Sequence, residues 1–218
     1  MKQTIKINIP DSWKDITLSK YLALQSDLEN YKDDEEASIA FMLHHLCGIN
    51  LEQIKSLSKE SYNEVLSTLA TFMGNTEYEL QRFIQIDGIE YGIEPNLSNM
   101  TYGAFCDITK YDALAIDGNW AKIMSILYRP VEKKLFDSYS IKAYDGKIDE
   151  TKWLNVGMDV HFGTLFFFVR MLTDLLNYTL NSTIVMQEEY LHNIKQTLEK
   201  SGNPTQALLN LQTVISEL

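Results

Sequence analysis

The sequence predicts a mainly α, α+β protein: a helical bundle that carries one β-hairpin and a short N-terminal strand. Three observations predict it. Apolar residues recur at helical spacing behind good capping residues through most of the chain. One stretch, 83–93, instead has two short apolar-rich runs joined by Asp-Gly. The opening residues alternate, with Ile5, Ile7 and Ile9 on one side until Pro10 stops the pattern.

Taken in order, the N-terminal strand covers 2–9. Thr17 sits where a helix cap belongs, ahead of Leu18, Tyr21, Leu22 and Leu24. The acidic run Asp33–Glu36 suits the start of a second helix, which Gly48 is placed to end. Asn50 and Ser58 read as caps for helices over 51–56 and 59–73, with Gly74 as terminator. The hairpin follows, its Asp87-Gly88 turn expected to be type I′ because both central positions need positive φ. Thr101 is positioned to cap a helix over 102–111, and another over 119–128 is stopped by Pro130. Residues 129–155 read as irregular, with a turn at Asp145-Gly146. A long helical stretch starts near 157, with a break expected around Asn181–Thr183. Gly202-Asn203-Pro204 then marks a stop before a final helix over 205–217. The 218 residues are thus expected to form a single domain in three parts: 1–80, 81–155 and 156–218.

Composition narrows the function classes. With 45% hydrophobic residues and only four prolines, the chain has enough apolar material to offset its chain entropy. Thirty acidic against nineteen basic residues give a formal charge of −11, a field that repels nucleic-acid phosphate and anionic membranes. No direct nucleic-acid partner and no membrane partner are therefore expected. The most apolar run, Val160–Val169, is closed by Asp159 and Arg170, short of the roughly 20 residues that cross a bilayer. The N-terminal residues lack the apolar core of a signal peptide. Cys47 and Cys106 are too few for a disulfide scaffold and read as reduced, buried thiols.

No constellation carries recognisable chemistry, so no catalytic residue, metal site or cofactor is expected. His44 and Cys47 share a helical face, but a closed zinc site needs further ligands, and His161 and His192 are remote in sequence. Cys106 and His161 have no nucleophile signature around them. The glycines form no phosphate-binding loop, and the acids at Glu29 and Asp33–Glu36 lack the spacing of a calcium loop. Two features suit protein contacts instead. Arg129, Lys133 and Lys134 lie in the most basic patch of an acidic chain, either a solvated loop or a salt-sensitive contact to an acidic neighbour. Phe166, Phe167 and Phe168 span too wide a helical arc to face one side, which fits a shared core or a subunit contact.

Several segments recur in a familiar order. Ile9-Pro10-Asp11-Ser12-Trp13 leads into Ile16-Thr17-Leu18, and Ile86 to Ile93 leads into Pro95-Asn96-Leu97. Met100 to Phe105, Ile123 to Pro130 and Gly163 to Phe168 follow. Over roughly residues 5–175 this order resembles a family of small proteins encoded among the structural genes of tailed bacteriophages, including crAss-like phages of gut Bacteroides. The resemblance implies a non-enzymatic, multi-copy virion protein, associated with portal or tail or packaged as cargo, or else a tail assembly chaperone absent from the finished particle. It implies other phage structural proteins as partners and a homo-oligomer in the assembled state. The implied location is the virion, and the host cytoplasm during assembly. An enzyme with an unrecognised site is the competing class, and a regulatory binding module a third.

Overall fold

The caps act as the sequence predicts. In the computed structural model, which describes residues 7–74, 78–97, 100–111, 115–136 and 138–181 (side chains of 172 and 174–181 excepted), four helices open the chain. Thr17 accepts from the Lys20 N–H at the start of α1 (Leu18–Asn30). Asp34 accepts from the Ala37 N–H at the start of α2 (Glu35–Cys47), whose first turn holds Glu35 and Glu36. Asn50 and Gln53 form a reciprocal capping box on α3 (Leu51–Ser56), and Ser58 caps α4 (Lys59–Met73).

The described residues divide into two compact units, one of those up to 74 with 154–159, the other of those between 78 and 153 with 160–181. In the first unit the rings of Trp13 and Phe72 lie 4.7 Å apart, and Ile16, Leu18 and Leu43 are fully buried. Burial of such side chains is the main favourable term in folding. The chain returns to this unit through an antiparallel bridge of Thr17 with Gly157. There the Met158 N–H donates to the Ile16 carbonyl at 2.8 Å.

The second unit is built on a four-stranded antiparallel sheet in the order β1 (Phe83–Ile86), β2 (Ile89–Ile93), β3 (Tyr128–Leu135), β4 (Ser138–Ile141). It also holds α5 (Tyr102–Ile108), α6 (Trp120–Leu127) and α7 (Met158–Asn181) from Val160 on. The expected bundle with a single hairpin is therefore corrected to a mixed α+β fold. The error lies in 129–155, read as irregular because of Pro130 and the charges that follow it. Pro130 cannot donate to a ladder, yet it falls where pairing with β2 ends and pairing with β4 begins, so the missing N–H disrupts neither. The expected N-terminal strand is absent over 7–9, and 2–6 lie outside the described residues. Asn181 is still helical; residues 182–183, the Gly202-Asn203-Pro204 stop and the helix over 205–217 also lie outside them.

Several polar groups buried in the second unit pair with one another, although Arg129 Nε has no hydrogen-bond partner among the described residues. The Trp120 indole donates to His161 Nδ1 at 3.1 Å, while His161 Nε2 lies 3.2 Å from the Trp153 carbonyl. A neutral imidazole with its proton on Nε2 satisfies both contacts. The Tyr128 hydroxyl donates to the Gln81 carbonyl at 2.8 Å and lies 3.1 Å from the Thr164 hydroxyl; burial pushes its pKa up to about 12. A Cβ on Gly163 would overlap the Glu79 carbonyl, so α7 seats directly on the backbone that precedes β1. Among the described residues no helix is long and apolar enough to cross a membrane.

Candidate functional site

The site grows from the way β3 changes partners. Its first residues, Tyr128 and Arg129, are buried and pair with Ile93 and Gly92 of β2. A bulge between Val131 and Lys133 then redirects the strand, and its outer half pairs only with β4. The redirected hairpin folds over β2. A Cβ on Gly92 would lie 3.0 Å from the Tyr139 ring and 3.1 Å from Ile141 and Val131, so the fold has room there for glycine and little else. The Tyr139 hydroxyl fastens the arrangement by donating to the Ile93 carbonyl at 2.8 Å.

Charges are spent on this frame rather than displayed. Arg129 is buried, pairs through its guanidinium with Glu94, and lies 5.9 Å from the Tyr144 ring centroid. Lys134 bonds Glu90 at 3.0 Å and stands 3.6 Å above the Phe83 ring, whose other neighbour is the Tyr139 ring at 4.6 Å. Lys133 alone of the three predicted basic contacts is exposed with no ion pair among the described residues. The three phenylalanines separate as well. Phe168 is buried, Phe166 stacks on Tyr78 with centroids 6.4 Å apart, and Phe167 is half-buried at the edge of a cleft.

That cleft, of about 340 Å³, opens beside the end of β2 and the start of β4. Leu80, Ile93, Pro95 and Phe167 give it an apolar side. Arg82, Glu94, Ser138 and Tyr139 give it a polar one. Beyond it, the tip of the β3–β4 hairpin presents Leu135 at 70% exposure and Phe136 at 93%. Phe136 has φ +51°, in the left-handed region where a bulky side chain is strained. Sequence reading missed Leu135, Phe136 and Arg82; two large apolar residues directly after a run of charges were the available signal.

The other singled-out residues are structural in position. His44 Nδ1 lies 2.8 Å from the Ile49 carbonyl, and His45 Nε2 is 2.7 Å from Asp27. Cys47 is buried, which pushes its thiol up to about 11 and away from the reactive thiolate. Cys106 is half-buried beside the Tyr102 hydroxyl, and both ring nitrogens of His161 are engaged elsewhere. Among the described residues no three His, Cys, Asp or Glu side chains converge as a metal would require. No protein family, curated protein or solved structure matches the chain.

Proposed function

We propose that this is a non-enzymatic component of a tailed-phage particle, present in several copies and acting through contacts with other phage structural proteins. The observation that carries the interaction role is the β3–β4 tip, where Leu135 and Phe136 stand in solvent beside Lys133, which makes no ion pair among the described residues. Large aromatic residues so exposed are more useful as contacts than as fold determinants. Support for the phage setting is the ordered set of segments from Ile9 to Phe168 that resembles small proteins of phage structural gene clusters. Repetition of one such contact in a ring gives a heterologous, closed assembly, in which the free protein stays monomeric until it meets its template.

Quantitative mass spectrometry of gradient-purified virions tests the reading. A fixed stoichiometry of several copies per particle is the expected result, reduced in particles made with Phe136→Asn. Abundance in infected-cell lysate with absence from finished particles would replace the structural role by that of a tail assembly chaperone.

A further inference from the structure

The cleft beside β2 and β4 carries a charge pattern that the tip does not use. Glu94, on its wall, is already neutralised by Arg129. The Tyr139 hydroxyl hydrogen is committed to the Ile93 carbonyl, so this group offers a ligand only an acceptor. Arg82 is different. It is exposed, lines the cleft, and makes no ion pair or side-chain hydrogen bond among the described residues. It is therefore the cleft's uncompensated charge, a guanidinium fork that matches a carboxylate, in a chain whose formal charge is −11. Ser138 adds an exposed hydroxyl, and Leu80, Ile93, Pro95 and Phe167 supply apolar wall. At about 340 Å³ the cleft is at the small end of the roughly 300–1,000 Å³ usual for small-molecule sites, a size that suits a large side chain better than a cofactor.

We propose that this cleft binds an extended segment of a partner protein, seating one apolar side chain against Phe167 and Ile93 and a neighbouring Asp or Glu carboxylate on Arg82. The apolar contact supplies area, and the ion pair supplies selection, because a lysine in the same place would face a like charge. The site belongs to the second unit alone. It needs no particle and holds for the isolated chain, whether or not the protein enters a virion.

The full chain is applied to an immobilised array of decapeptides, each with one Phe, Leu or Ile and one Asp or Glu spaced one to four residues apart. Matched peptides replace the acid with its amide or with Lys. Acid–apolar peptides at a short spacing should bind, and their amide forms at least about tenfold more weakly, as loss of a charge-assisted hydrogen bond implies. Arg82→Gln should erase that preference. Arg82→Glu should transfer it to the Lys peptides, an inversion that mere damage to the fold would not produce. Ser138→Tyr, at an exposed position, should fill the cleft and abolish binding while the circular dichroism spectrum is kept. A flat array overturns the proposal, as does binding to acidic peptides that Arg82→Gln or Ser138→Tyr leaves unchanged. Virion incorporation is measured separately, so loss of peptide binding and absence from particles are independent results.

Discussion

The two β-hairpins of the second unit turn through residues of opposite kind. β1 and β2 meet through Asp87 at φ +52° and Gly88 at φ +77°, residues that accept the left-handed region at little cost. β3 and β4 turn through Phe136 at φ +51°, a bulky residue that does not. The first turn is chosen for the backbone. The second keeps a strained aromatic almost wholly in solvent, where its side chain gives the fold nothing in return. A residue that costs folding energy and buries almost no area is the observation on which the proposed contact at the tip rests.

The sharpest way to break the comparison is at the seam where the hairpins join. Arg129→Ala should destabilise by about 3 kcal/mol, because Glu94 would remain part-buried without its cation. Denaturant unfolding measures it, and a loss under about 1 kcal/mol would mean that the pair behaves like an exposed one. Next, Gly88→Val should cost roughly 1–2 kcal/mol by forcing a β-branched residue into the left-handed region. If that variant melts with the parent, the type I′ assignment fails. The smallest effect has the opposite sign. Phe136→Asn should stabilise by up to about 1 kcal/mol, since Asn tolerates positive φ and little buried area is lost. A variant that is more stable yet excluded from particles would sharpen the contrast between the two turns; one less stable than the parent would erase it.

Alkaline titration adds a test from inside the same sheet. The Tyr128 phenol is raised to about 12 from its ordinary 10, so its neutral form is favoured by folding. Its contribution is complete below pH 10 and is lost as pH rises towards 12. Tyr128→Phe should therefore show a shallower fall in melting temperature over that window. An equal slope in both proteins would remove Tyr128 from the account.

The sequence by itself determined what neighbouring residues decide. Thr17, Asn50 and Ser58 cap helices because a side-chain oxygen reaches an N–H three residues on, and Asp87-Gly88 turns because of its own φ preferences. Only the tertiary structure decided what distant residues supply. Tyr128–Leu135 is a strand because β2 and β4 are there to pair with it, and half of it faces solvent with no alternation to betray it. Arg129 and Lys134 resemble a displayed basic patch until Glu90 and Phe83 from the first hairpin, and Glu94 just past it, come to occupy them. The cleft is likewise invisible in one dimension. Arg82, Ser138 and Phe167 become neighbours only when the bulge after Val131 folds β4 back and the absence of a side chain at Gly163 lets α7 approach Glu79. Local chemistry is written in adjacent residues, whereas charge compensation and concavity depend on long-range contacts that no short window contains.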